Sequence, residues 1–301
     1  MPLADPFWPR ADTWLAMEAD DPTLVVVGVP SSKSSLSASH ADLAPLVMRD
    51  RLDRFSTFHG EAPVDFGSLP VHDFGNWPVS QLDMGAMPGV VRQLAVGLPD
   101  VPLTVYLGGD NAITRPLVAA MGDLERVGVI TFDAHHDVRS LDRGPTNGTP
   151  IRGLIDQDGL PGANVVQIGI HSFSNSEPYR SYCEEKGIGV VTVTEVETSG
   201  MAAAVDRAFE RLGDCDRVYV DVDVDVLDRA FAPGCPGSRP GGLTIRQLAQ
   251  GVLGCAAHPQ VRAMDFVEVD PESDVGHMTI DVMAHLFLTA AAGLAARPES
   301  T

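Results

Sequence analysis

Short apolar, β-branched runs recur along the chain, and most of them end on Gly or Asp. They lie at residues 23–29, 70–73, 103–107, 127–132, 165–170, 189–193, 217–222 and 261–267, and each predicts a strand. Between them apolar positions fall at helical spacing, which predicts helices over 41–52, 87–98, 112–121, 177–186, 201–212, 244–255 and 278–295. The strands are nearly continuous in apolar character, so both of their faces should be covered. Alternating βα units of this kind build a parallel sheet between two helical layers. The expected architecture is a single α/β domain over residues 1–301 with a sheet of about eight strands.

Residues 31–39, "SSKSSLSAS", and 60–78 are dominated by polar and turn residues and read as surface loops. The Ala-rich stretch 280–296 carries Asp281 and His285, which predicts an amphipathic helix and not a membrane span. Thr244, after Gly241-Gly242-Leu243, is placed to cap the helix that follows. No internal repeat or linker divides the chain.

Composition narrows the function classes. Apolar residues make up 44% and charged residues 21%, which suits an ordered globular protein. A formal charge of −20 argues against binding a nucleic-acid backbone and leaves acidity available for cations. Cys183, Cys215, Cys235 and Cys255 are far apart and form no CxxC pair, so neither a zinc site nor a disulfide framework is suggested. The N-terminal residues contain prolines and acids but no apolar h-region, and a cytoplasmic protein with reduced thiols is expected.

Ligands of open parallel sheets bind beyond the carboxyl ends of the strands, so acids at those ends carry the chemistry. Three strands deliver them. One ends in Gly109-Asp110-Asn111, the next in "DAHHD" with Asp133, His135, His136 and Asp137, and the third in "DVDVDVLD" with Asp221, Asp223, Asp225 and Asp228. Residues i and i+2 of a strand share a face, so Asp133 pairs with His135 and Asp223 with Asp225, and a turn can return Asp137 to the same centre. Four carboxylates and an imidazole gathered there repel one another by several kcal/mol unless counter-charge is supplied. Divalent cations remove that penalty, and the acids suffice for two. Oxygen donors with one or two nitrogens suit Mn²⁺ better than zinc, with nickel and cobalt also open. The bland alternative, that alternating Asp marks an exposed antiparallel edge, fits poorly because both clusters follow buried-looking runs.

The motifs "GGDN", "DAHHD", "DVDVDVLDRAFAPG" with "PGGLT", and "MDFVEVDP" resemble, in order over residues 24–295, those of the ureohydrolase family: arginases, agmatinases, guanidinobutyrases and formiminoglutamases. The resemblance implies a three-layer α/β/α fold, two manganese ions per subunit, and hydrolysis of a C–N bond in a linear amidine. It further implies a homo-oligomer, a trimer or hexamer. Position by position, Asp133 and Asp223 match the bridging carboxylates, His135 and Asp225 complete one metal, and Asp137 belongs to the other. That second metal normally takes the histidine of Gly-Gly-Asp-His, and here the position is Asn111, a weaker donor than imidazole. Asn147 of "TNGTP" stands where many members have a proton-shuttling histidine. An amide cannot shuttle protons at neutral pH, which leaves that role to water or to His171 or His136. Glu268 matches the glutamate that faces the cationic substrate group.

"DAHHDVR", "NGTPIRG" and "GIHSFSNSEPY" are most similar to formiminoglutamases. The implied reaction takes N-formimino-L-glutamate to L-glutamate and formamide, with an agmatinase-like guanidino hydrolase as the alternative and a non-catalytic metal-binding homologue as a third reading. Two substrate carboxylates call for guanidinium partners, and Arg139 and Arg152, with His171 nearby, are the expected substrate-binding residues.

Overall fold

A computed structural model describes Asp5 and residues 7–298 of the chain. Its strands are β1 (Leu24–Val29), β2 (Phe58–His59), β3 (Val64–Asp65), β4 (Val71–Asn76), β5 (Leu103–Gly108), β6 (Val127–Phe132), β7 (Val165–Ile170), β8 (Gly189–Thr192), β9 (Arg217–Asp223) and β10 (Val261–Val267). Its α-helices are α1 (Ala11–Leu15), α2 (Ala44–Arg51), α3 (Met87–Val96), α4 (Thr114–Ala119), α5 (Pro150–Asp156), α6 (Glu177–Lys186), α7 (Val193–Ser199), α8 (Met201–Arg211), α9 (Ile245–Ala257) and α10 (Met278–Ala295).

Eight strands form one sheet in the order β4-β1-β5-β10-β9-β6-β7-β8, and every neighbouring pair is parallel. The runs of β1, β5, β6 and β7 are buried at every position, because both faces are covered. On one face Leu24, Val105, Ile130, Val220 and Phe266 pack with α1, α2 and α7 to α10. On the other, Val25, Val27, Val129 and Tyr219 pack with α3, α4, α5 and α6. The sheet and its three layers are those expected.

The topology positions the site. Adjacent central strands β5, β10, β9 and β6 end in Asp110-Asn111, Glu268, Asp223 and Asp133 respectively. Parallel strands point their carboxyl ends the same way, and three inter-strand spacings cover only about 14 Å. Residues more than a hundred positions apart are thereby gathered at one rim.

Several elements differ from expectation. Helix α10 is buried on nearly every side and not amphipathic, since Ile280, Met283, Leu286, Phe287 and Leu294 all lie inside with the alanines between them. It is long and apolar enough to cross a membrane, but 78% of it is buried within the protein. The 60–78 segment is no plain loop: β3 pairs with β2 as a small antiparallel ribbon, and β4 extends to Asn76 as an edge strand. Short helices α1, α5 and α7 carry too few turns to show a period. The capping box at α9 is as expected, with Thr244 accepting from the Gln247 N–H and the Gln247 side chain returning to Thr244.

Candidate active site

The cluster starts at the end of β6. Asp133 accepts the His135 N–H at 2.6 Å, a tight turn that swings the imidazole toward β9. There His135 Nδ1 lies 2.7 Å from Asp225 and 3.6 Å from Asp133. Asp223 performs the same turn on its own strand, accepting the Asp225 N–H at 2.8 Å. Asp137 and Glu268 adopt left-handed backbone, with φ of 51° and 67°, and this re-aims both side chains into the cleft. Such conformations cost non-glycine residues about 1–3 kcal/mol each, and they concentrate at functional sites.

Asn111 reaches Asp137 at 2.7 Å through Nδ2, and its backbone N–H donates to Glu268 Oε1 at 2.7 Å. The six residues expected to hold metal, Asn111, Asp133, His135, Asp137, Asp223 and Asp225, are therefore brought together. With Glu268, Asn147, Arg139 and Arg239, four of them line a cleft of about 120 Å³. A larger cleft of about 860 Å³ lies between β2, α9 and α10, but its lining is mostly apolar and no acids converge there. Chemistry, and not size, marks the smaller one.

Electrostatics show what the cluster lacks. Burial, then the charge of Asp225, pushes Asp133 up to about 7. Burial and neighbouring carboxylates hold Asp137 and Asp223 well above the usual range. Burial and the charge of Asp110 raise Glu268 to about 8. His135 goes up to about 12, chiefly through Asp225, while burial opposes the shift. Burial also works to raise Asp225, but the His135 charge and hydrogen bonds outweigh it and bring the carboxylate down to about 2. One imidazole thus serves one carboxylate, Asp225, and leaves four, Asp133, Asp137, Asp223 and Glu268, in want of positive charge. Carboxylate oxygens with one imidazole nitrogen suit a hard divalent cation, and ligating atoms of Asp133, His135 and Asp225 lie within 4.8 Å of one another.

The arginase family model matches residues 22–293. The chain belongs to the arginase family. A formimidoylglutamase from Halalkalibacterium halodurans is 41% identical over 87% of this chain and 84% of its own length. The crystal structure of the Bacillus subtilis formimidoylglutamase superposes with a TM-score of 0.93 at 34% identity, covering 99% of this chain and 95% of that one. Trypanosoma cruzi formiminoglutamase, solved with Mn²⁺, shares the fold at a TM-score of 0.88 and 24% identity, over 97% and 100% of the two chains. This chain is accordingly a hydrolase of the arginase family acting on amidino groups.

Within that family frame, several expected roles are relocated. Arg152 does not line the cleft: its Nε donates to the Val138 carbonyl at 2.6 Å, and its guanidinium lies 3.9 Å over the Tyr182 ring and 3.5 Å from Asp156. The Tyr182 stack holds α5 to α6, and the guanidinium is turned away from the cleft where substrate binding was expected of it. His171 sits behind the cleft with Nε2 on the Val226 carbonyl at 2.9 Å, so it too is a scaffold residue. His136 faces away as well, with Nδ1 at 2.7 Å from Gln167. Neither imidazole lines the cleft. Asp221 is buried beside Asp265, and Asp228 accepts N–H groups of Ala230 and Gly241, so neither acid of the "DVDVDVLD" run reaches the cleft.

Asn147 does face the cleft, as a tie. Its Nδ2 donates to Glu268 Oε1 at 3.0 Å, and its Oδ1 accepts the Leu36 N–H at 3.0 Å. The serine-rich segment 31–39 is bound on its other side by Asp110, which accepts from Ser31 Oγ at 3.2 Å and the Ser34 N–H at 3.0 Å. The segment is the expected surface loop at Lys33 and Leu36 to Ala38, but Ser31 and Ser34 are buried where it meets Asp110. Gly109 permits this contact, since any side chain there would enter the Ser31 backbone. Arg239 was missed from sequence. It lies in "GSRPGG", between two motifs, and only the path of that loop shows that it joins Arg139 in lining the cleft.

Proposed function

We propose that this protein hydrolyses N-formimino-L-glutamate to L-glutamate and formamide with manganese as its cofactor. The carrying observation is an acid-floored cleft with two arginines, Arg139 and Arg239, at its mouth. Among the described residues neither has a carboxylate partner; Arg239 meets only the Pro236 and Ser238 carbonyls. Such a polarity accepts a molecule that is cationic at one end and doubly anionic at the other. Guanidinium groups fork onto carboxylates bidentately, so one arginine serves each substrate carboxylate. The named relatives support the same substrate.

Asn111, Asp133, His135, Asp137, Asp223 and Asp225 are the residues that would hold two ions. Divalent cations bound here acidify water and add positive charge where negative charge develops on the substrate. The protein does the rest. Glu268 Oε1 is taken by Asn111 and Asn147, which leaves Oε2 to receive an amidine N–H and orient the formimino carbon. Asp137 Oδ1 has no protein donor among the described residues, so it is the atom that takes the proton of the attacking water. The same carboxyl then returns it to the departing glutamate nitrogen as the C–N bond breaks.

The test is a substrate panel with manganese-loaded protein. Formamide and glutamate should form from N-formimino-L-glutamate with a kcat/KM at least about 100-fold above urea release from agmatine, arginine or guanidinobutyrate. Urea release at comparable efficiency would assign the cleft to guanidino substrates instead.

A further inference from the structure

Behind the cleft lies a buried chain of polar groups. Thr114 Oγ1 is 2.7 Å from Asn111 Oδ1 and 2.7 Å from Asp265 Oδ2. Asp265 Oδ2 also accepts the Tyr219 hydroxyl at 2.7 Å, and Asp265 Oδ1 accepts the Val222 N–H at 3.3 Å. Thr114, Asp265 and Tyr219 are all essentially inaccessible to solvent.

A threonine hydroxyl carries one proton and cannot donate to two acceptors. One of its two neighbours must donate to it. Asp265 already collects donors from Tyr219 and Val222, so it is the natural acceptor of the Thr114 proton. The Thr114 oxygen then takes its donor from its other neighbour, the amide of Asn111. Amide oxygen and nitrogen are nearly identical in shape, so Asn111 can exchange them without moving a neighbour. That exchange turns Nδ2 toward Thr114 and Oδ1 toward Asp137. With no cation between them, Asn111 and Asp137 are joined by Nδ2 donating at 2.7 Å. A cation held by both needs the opposite end, the oxygen.

We propose that Thr114 and Asp265 are positioning residues that turn the carbonyl end of Asn111 toward the metal cluster, so that an amide can act as a ligand where an imidazole is usual. The proposal rests on the metal-site reading of Asn111 and is independent of the substrate. Thr114→Val removes the hydroxyl while keeping its shape, and Thr114→Ser keeps the hydroxyl.

Manganese binding is followed by electron paramagnetic resonance of free Mn²⁺ during titration of the chelator-stripped protein. Thr114→Val should weaken the looser Mn²⁺ at least about tenfold and leave the tighter one within about twofold. Thr114→Ser should bind both like the parent. Asp265→Asn, which can offer Thr114 a donor and so reverse the chain, should weaken the same ion. It supplies the answer if Thr114→Val does not fold. Asn111→Ala should lose that ion. Parent-like binding in folded Thr114→Val and Asp265→Asn, with loss in Asn111→Ala, overturns the proposal alone. Parent-like binding in Asn111→Ala overturns the proposal together with the ligand role of Asn111.

Discussion

Asp133→Asn separates what the acidic cluster does for folding from what it does for metal. The amide keeps the acceptor that receives the His135 N–H and removes one negative charge from the centre of the cluster. In the folded chain the Asp133 carboxyl is lifted from 3.8 to about 7. Holding it ionised at pH 8 costs about 4 kcal/mol at most, and about 2–4 kcal/mol once the shift is shared with neighbouring charges. Metal-free Asp133→Asn should therefore melt higher than the parent, by about 3–6 °C for a chain of this size. Saturating Mn²⁺ should reverse the difference. A ligand at 100 times its Kd adds about 2.7 kcal/mol to the parent, and the variant, lacking one of the carboxylates proposed to hold the ions, should gain little. The assay is thermal unfolding by circular dichroism at pH 8, in chelator and in Mn²⁺. A variant that melts at or below the parent in chelator, or that keeps the full Mn²⁺ gain, refutes the reasoning.

Other predictions follow from the same contacts. Asn147→Ala unties Glu268 from the 31–39 segment and should lower kcat/KM about 10- to 100-fold, mainly through KM; parent-like kinetics would deny the tie any role. Arg152→Met should leave kcat/KM within about twofold and cost about 1 kcal/mol of stability, whereas a tenfold kinetic loss would return Arg152 to the substrate. Asp133 and Glu268 bind protons more tightly folded than unfolded, so metal-free stability should fall as pH rises from about 4 to about 8 and be insensitive to these groups above that window. His135 works in the same direction, its contribution being complete below its unfolded pKa and lost as pH rises toward about 12. Melting temperatures across that range in chelator check the slope. Phe287→Ala opens a cavity in the α10 core and should cost about 3–5 kcal/mol, read as a lowered denaturant midpoint.

Periodicity and strand-end acids made the sheet, its burial and the gathering of the acids legible, because a run of β-branched residues ending in Asp admits few placements. Side-chain direction was not legible. Arg139 and Arg152 are equivalent as residue types near one motif, yet one faces the cleft and the other stacks on Tyr182. Arg239 belongs to no periodic pattern, and its place follows from a loop held by Asp228. The serine-rich 31–39 segment is exposed at Lys33 and over 36–38, as its composition suggests, but the burial of Ser31 and Ser34 depends on Asp110, a residue about eighty positions away that no local pattern connects to them. Asn147 appears as a lost histidine in the sequence and as a tie between Glu268 and Leu36 in the fold. The all-round burial of α10 depends on α2 and α9 lying to either side, which no local pattern encodes.

The central claim is that buried carboxylates of separate strands are gathered to hold divalent cations. Elemental analysis of protein equilibrated with Mn²⁺ and freed of excess by gel filtration tests it most directly. The account predicts more than one manganese per chain in the parent, the second being the looser, and a clear deficit in Asp223→Asn. Parent protein that emerges without bound transition metal would contradict it.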